Sequence, residues 1–226
     1  MLDLVTTLVP LAVGSAVLPV QLAVTMLLLR GRAGRVAAVA WVAGMTVVRL
    51  VQGIAFGFVF DAVHKTEVAE GGPGVASSIL QVVLAILFYA IAAKAYLKVP
   101  DEDAPPPRWM TAIEGVTATR AFLLGAGVVL ISAKLWVFTL GAVGAIKEAD
   151  LTTAGSVGAF LLFVLLAESL HLGILGFALA APTRADIALA RWSDLLARYG
   201  RAIMTALGLV FGTWFLLKGL SGIGIF

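Results

Sequence analysis

Two charged residues lie deep within long apolar segments, and their chemistry sets the first question about this chain. Arg49 lies near the middle of the apolar segment 36–60, and Glu168 near the middle of the segment 154–181. Each is about a dozen residues from either end of its segment, roughly 18 Å at the helical rise, which is too far for the side chain to reach water. The sequence therefore predicts that the two pair in the protein interior, because an isolated charge is costly there. The pair is either a static lock or a carboxylate that exchanges a proton.

Each of these charged residues has a polar neighbour one helical turn further along. Gln52 follows Arg49 by three residues and His171 follows Glu168 by three, so each pair shares one face of its helix. The same offset, 119 residues, relates the first pair to the second. His171 titrates near neutral pH in water, and it is interpreted either as a hydrogen-bond donor between helices or as a member of a proton relay.

A second cation lies inside another apolar segment, 116–145. On insertion scales, a lysine such as Lys134 costs roughly 2.5 to 3.5 kcal/mol near the bilayer centre unless it finds water, a partner or a substrate. Pro19 interrupts the first apolar segment about a dozen residues before that segment ends. Ser132, Ala133 and Lys134 lie at the comparable place in segment 116–145, also about a dozen residues before its end. Interrupted helices at matching positions of two halves are typical of a transport site. A plain proline kink and a snorkelling lysine are the alternatives.

These residues together predict a polar pathway through a membrane. Its central charged set is Lys134, Arg49 and Glu168, with Gln52, His171, Pro19 and Ser132 around it.

The segments that carry these residues dominate the composition. The chain of 226 residues is 61% hydrophobic and 13% charged, against about 25% charged in soluble domains. Six segments are long enough to cross a bilayer, and in lipid they must be helical to satisfy their backbone groups. The prediction is an all-α, polytopic integral membrane protein with six transmembrane helices, over residues 4–29, 36–60, 75–97, 116–145, 154–181 and 195–220.

The loops between the segments predict an orientation and a division into halves. Residues 1–97 form a first three-helix repeat, 98–114 an acidic, proline-rich cytoplasmic linker, and 115–226 a second repeat. Three crossings invert the second repeat relative to the first. Within it, apolar residues at helical spacing among arginines predict an interfacial helix at about 186–199. Cationic residues concentrate in alternate loops, which places those loops in the cytoplasm and both termini outside: Arg30, Arg32, Arg35, Lys94, Lys98, Arg108, Arg120, Arg184, Arg191, Arg198 and Arg201.

Several kinds of chemistry lack the residues they need. The chain has no cysteine, which excludes thiolate metal sites. Glu168 and His171 form one Glu-x-x-His motif, whereas carboxylate-bridged metal sites in helix bundles use two. No phosphate-binding loop or serine-hydrolase elbow is present in the sequence. We therefore expect no enzyme activity, no cofactor and no metal site.

Two short motifs resemble a known family. They are Leu27-Leu28-Leu29-Arg30-Gly31-Arg32, which ends the proline-interrupted first segment, and Ile131-Ser132-Ala133-Lys134-Leu135 in the fourth. With six helices in a three-plus-three arrangement, they resemble the lysine-exporter (LysE) superfamily, and most closely its glycolipid- or sulfolipid-addressing (GAP or Sap-like) proteins. Family members carry an Asn-Pro-Lys-like element in the fourth helix, which this chain matches only at Lys134. The resemblance implies an inner-membrane exporter, with lipid or glycolipid export as the subfamily's association.

The expected function is that of a secondary exporter in the bacterial cytoplasmic membrane, driven by protons, that moves a lipid, a glycolipid or a small polar metabolite outward. One alternative is a membrane scaffold that does not transport, for lipid-synthesis or export machinery. Another is an exporter of amino acids or metal cations. The expected partners are the lipid bilayer, the exported substrate, protons and a second copy of the chain in a homodimer, with no nucleic acid among them.

Overall fold

A computed structural model of the chain describes residues 2–31, 34–70, 75–97, 113 and 115–222. Within these residues every regular element is an α-helix, and nine helices follow one another: α1 (Leu2–Ala16), α2 (Pro19–Arg30), α3 (Gly34–Glu70), α4 (Val75–Leu97), α5 (Ala118–Ile131), α6 (Ala133–Glu148), α7 (Thr153–Ala167), α8 (Ser169–Ala180) and α9 (Pro182–Gly222). Each of the six predicted apolar segments falls on a helix or on a pair of consecutive helices.

The helices have the length and the apolar surface that are typical of a membrane protein. Two of them contain a stretch long and apolar enough to cross a bilayer, Gly34–Ala62 in α3 and Arg198–Gly222 in α9, and the count reaches five if each bent pair of helices is one span. Large apolar side chains such as Phe58 and Ile131 are 72% and 84% exposed, as expected for surfaces that face lipid tails. The chain is thus a helical membrane protein. Six spans, the inverted repeat and the outward termini remain predictions.

Three of the apolar segments bend sharply where two helices meet. α1 and α2 meet at 52°, and Pro19 is the first residue of α2. A residue at this position donates no hydrogen bond within the helix, so the missing N–H of proline is tolerated there. α5 and α6 meet at 70° around Ser132, whose backbone is extended. These two interruptions are the ones the sequence predicts. A third, of 54°, lies at Glu168 between α7 and α8.

Two helix pairs provide the most extensive packing, α4 with α9 and α3 with α5. The second pair is close because Gly125 of α5 lies directly against the backbone carbonyl of Trp41 in α3, where a side chain would collide with it. One large apolar core runs through the bundle, and a smaller one joins α2, α8 and the first part of α9. The bundle thereby buries the middle of α3 and the α7–α8 bend.

Two predicted cytoplasmic features have different outcomes in the structure. Residues 186–199 form part of α9, which runs from Pro182 to Gly222 without a break. On this stretch Trp192, Leu195 and Tyr199 are exposed, and its position in the membrane interface remains a prediction. The linker 98–114 lies outside the described residues, except for Ile113 near its end.

Candidate functional site

Arg49 and Glu168 meet inside the bundle. Arg49 projects from the middle of α3, and its Nε lies 3.5 Å from Oε1 of Glu168 at the bend between α7 and α8. Arg49 is 1% exposed and Glu168 is 2% exposed. The predicted pairing of these two deep charges is therefore present.

His171 lies on the other side of the same carboxylate. Its Nδ1 is 3.7 Å from Oε2 of Glu168, and its side chain is completely buried in the first turn of α8. The three-residue spacing places both groups on one face of the bend. Glu168 thus lies between a guanidinium and an imidazole, and we call these three residues the central cluster.

The polar atoms of the central cluster make no hydrogen bonds to the described part of the protein. This applies to all three side-chain nitrogens of Arg49, both oxygens of Glu168 and both ring nitrogens of His171. The separations of 3.5 and 3.7 Å are longer than charge-assisted hydrogen bonds. Buried groups in this state are energetically costly, so their donors and acceptors are available to a proton or to another polar group.

Glu168 makes two backbone hydrogen bonds at the bend. The Glu168 N–H donates to the carbonyl of Val164 at 3.0 Å, and its own carbonyl accepts from the N–H of Leu172 at 2.9 Å. These bonds close the last turn of α7 and the first turn of α8 at Glu168. The two helices change direction there, and the Glu168 side chain faces Arg49 of α3.

Gln52 lies apart from the central cluster, although it lies one turn from Arg49. It is buried, and its Nε2 donates to the carbonyl of Val129 near the end of α5 at 3.3 Å. Trp136 Nε1 donates to the same carbonyl at 3.1 Å and to that of Leu130 at 2.9 Å. These bonds satisfy the last carbonyls of α5, which the interruption at Ser132 leaves without helical donors. Gln52 thus stabilises the α5–α6 break.

Lys134 also lies away from Arg49 and Glu168. It occupies the first turn of α6, is partly buried, and lines a small cavity with Leu18, Phe88 and Phe138. Pro19 starts α2 next to this cavity and packs against Gly200 of α9. The structure thus brings together two of the three central charges and places the third at a separate cavity.

A second polar group lies at the far end of the bundle, and the sequence reasoning did not single it out. Glu148 at the end of α6 accepts a hydrogen bond from Gln81 at 2.7 Å and forms an ion pair with Lys218 at 2.5 Å. Beside it, Lys147 pairs with Asp61 of α3. We call these five residues the terminal polar cluster. The sequence contains a signal for this cluster, because three of the apolar segments end at its charged residues. The predicted topology places those ends on the same side of the membrane.

The described residues contain no group of three or more His, Asp or Glu side chains that could hold a metal ion. The carboxylate, guanidinium and imidazole of the central cluster support acid–base and electrostatic chemistry. Glu168 can exchange its pairing with Arg49 for a proton, and His171 is placed to donate or accept one.

The sequence model of one protein family matches residues 8–221, nearly the whole chain. That family is described as Sap, sulfolipid-1-addressing protein (SfLAP). The chain belongs to the SfLAP family. Comparison with curated proteins and with solved structures finds no match.

Membership confirms the predicted resemblance to the Sap-like proteins, while the wider LysE superfamily remains a prediction. The match covers all three bends of this SfLAP protein, the central cluster and the whole terminal polar cluster, whose last member is Lys218. Both polar groups therefore lie within the part of the chain that defines the family.

Proposed function

We propose that the chain is a secondary exporter of the bacterial cytoplasmic membrane, driven by the proton gradient, that moves a lipid, a glycolipid or a small polar metabolite outward. The description of the family, sulfolipid-1-addressing protein, supports a lipid-related cargo. The apolar helices support a site of action in the membrane.

The observation that carries the proposal is the central cluster. A carboxylate, a guanidinium and an imidazole are buried together at a helix bend, with no hydrogen bonds from their polar atoms to the described residues. Intramembrane ionisable groups with this placement are typical of proton relays and transport pathways. A purely structural ion pair would be better satisfied by direct hydrogen bonds.

The cluster supports a two-state cycle. When Glu168 is ionised, its charge attracts Arg49 and holds α3 against the α7–α8 bend. When Glu168 takes up a proton, that attraction is lost and the two elements are free to separate. His171, in contact with the same carboxylate, is the group placed to transfer the proton. A proton bound on one side of the membrane and released on the other would then drive the change of conformation.

The helix contacts support the inverted repeat. Taking α1–α2, α3 and α4 as one half and α5–α6, α7–α8 and α9 as the other, the third segments of both halves pack against each other. The contact between α3 and α5 corresponds to the contact between α7 and α1 when the halves are exchanged. In the same way, the contact between α4 and α6 corresponds to the contact between α9 and α2. The first segment of each half is bent. The cationic loops favour outward termini, as argued from the sequence.

A deletion strain tests the exporter against the scaffold. We expect an untargeted comparison of retained lipids and metabolites to reveal a species that accumulates in the deletion strain. Expression of the wild-type gene in the deletion strain should abolish this accumulation. Expression of Asp150→Asn should do the same, because this variant neutralises an exposed carboxylate outside both clusters. Expression of Glu168→Gln should leave the accumulation in place. The scaffold would be favoured instead if Glu168→Gln complements fully while deletion of residues 101–107 abolishes complementation.

A further inference from the structure

Two small cavities lie in line within the bundle. One, of about 20 Å³, is lined by Gln81, Glu148 and Lys218 of the terminal polar cluster. The other, of about 10 Å³, contains Lys134. Both are lined by the α1–α2 pair, α4, α6 and α9, and Phe60 of α3 also lines the first. We call them the terminal cavity and the Lys134 cavity.

The lining residues follow the same order on every element. On α4 the terminal cavity contacts Leu84 and the Lys134 cavity contacts Ile91, about 10 Å further along at the helical rise. On α9 the terminal cavity contacts Phe215, and the Lys134 cavity contacts Leu207 and Gly208. The cavities are therefore successive positions along one axis.

Four phenylalanine rings fill the space between the cavities. Phe88 lies at their centre, with ring centroids 5.1 Å from Phe138, 5.3 Å from Phe211 and 5.7 Å from Phe215. All four rings are at most 4% exposed. Phe88 and Phe138 line the Lys134 cavity, and Phe215 lines the terminal cavity. We call these four residues the ring cluster.

Two glycines let the ring cluster press against the helix backbones. A Cβ added to Gly14 of α1 would lie 2.5 Å from Phe211 and 2.7 Å from Phe138. A Cβ added to Gly141 of α6 would lie 2.8 Å from Phe215. The rings therefore touch both helices without space for water.

We propose that the two cavities are the two ends of the export pathway, and that the ring cluster is the gate that closes it in this conformation. This proposal rests on the exporter function and names its route. Each cavity has room for about one water molecule, which is the expected size for a closed pathway. Arg49 and Glu168 line neither cavity, so the central cluster acts on the helices beside the route and does not contact the cargo.

The route also indicates the class of cargo. Lys134 presents a cation at one end, and Glu148 with Lys218 presents both signs of charge at the other. Between them the lining is aromatic and aliphatic. A polar headgroup would interact with the charged ends, while an apolar chain would contact the rings once they separate. An amphiphile fits this lining better than a fully polar metabolite.

Cysteine accessibility tests the gate without a cargo. The chain has no cysteine, so Met204→Cys places a single thiol at the Lys134 cavity. A charged, membrane-impermeant maleimide is added to right-side-out and to inverted vesicles. With the gate closed, the maleimide labels the thiol from at most one side of the membrane, and we call the side beyond the ring cluster the far side. Phe88→Ala should raise the labelling rate from the far side by about tenfold or more, because the lost ring leaves space that water can enter.

Phe163→Ala is the matched control, since this phenylalanine is fully buried on α7 and lines neither cavity. Phe215→Ala opens the same cluster from the terminal cavity and is measured in parallel, in case Phe88→Ala does not fold. Far-side labelling that is no faster in either ring variant than in the control would overturn the route. Equal labelling of the parent from both sides would overturn the closed gate.

The outcomes separate the route from the proposed function. If the chain exports nothing, the labelling pattern still stands, because it requires no cargo. If Glu168→Gln abolishes export while the ring variants label like the control, the exporter is kept and this route is rejected.

Discussion

The central cluster shows how far depth in a membrane helix determines a residue's surroundings. Arg49 and Glu168 pair as their depth predicts, and His171 joins them because a three-residue spacing fixes its face. The depth of Lys134 and the interruption beside it predict the same group, yet Lys134 faces a small cavity that neither Arg49 nor Glu168 lines. Depth is visible in the sequence, but the direction a helix face points depends on how the helices pack.

The first prediction concerns the free energy of unfolding of single and double variants. Glu168→Gln or Arg49→Gln leaves an uncompensated buried charge, which typically costs about 3 to 5 kcal/mol, and the double variant removes both charges. We therefore expect the double variant to melt at a higher temperature than either single variant. Thermal melts in detergent measure this coupling. Simply additive effects would mean that the two residues do not interact.

The helix interruptions show which local signals the sequence contains. Pro19 begins α2 for a reason visible in any sequence, since proline lacks a backbone donor. The interruption at Ser132 is predicted by its match to the first segment, and it is stabilised by Gln52 and Trp136, a contact between elements that the sequence alone does not reveal. The bend at Glu168 has neither proline nor glycine, so no local helix breaker in the sequence predicts it.

A pair of glycine substitutions in α5 tests the close contact between α3 and α5. Gly125→Ala would place a methyl group against the backbone carbonyl of Trp41, whereas Gly127 on the same helix has nothing within 4 Å of an added Cβ. We expect Gly125→Ala to lower the melting temperature. Gly127→Ala should leave it unchanged or raise it slightly, because alanine favours helix by about 0.5 to 1 kcal/mol. Equal melting temperatures would contradict this packing.

At the scale of the whole molecule, the terminal polar cluster links three helix ends that are far apart in the chain. Asp61 ends the apolar part of α3, Lys147 and Glu148 end α6, and Lys218 lies near the end of α9. The alternating topology predicted from loop charge requires these ends to lie on the same side of the membrane. Their pairing depends on side-chain positions that the sequence does not specify. Residues 98–114, predicted as a cytoplasmic linker, lie outside the described residues apart from Ile113.

Single cysteines test the orientation of the molecule. We expect a cysteine at Asp150, in the exposed turn after α6, to react with an impermeant reagent from outside the cell. A cysteine at Thr119, in the exposed first turn of α5, should react only from the cytoplasm. Reversed labelling would invert the orientation, and labelling of both from one side would mean that the α5–α6 pair does not cross the membrane.

The central claim, that the buried Arg49–Glu168 pair couples export to protons, is tested most directly by transport into inverted vesicles. The cargo is the species that accumulates in the deletion strain, and the driving force is an imposed proton gradient with or without a protonophore. The parent and Asp150→Asn should accumulate the cargo only with the gradient intact. The Arg49→Gln, Glu168→Gln double variant should fold but fail to accumulate it, because the titrating carboxylate is gone. Gradient-driven accumulation at the parental rate in the double variant would contradict the claim and leave the pair a structural contact.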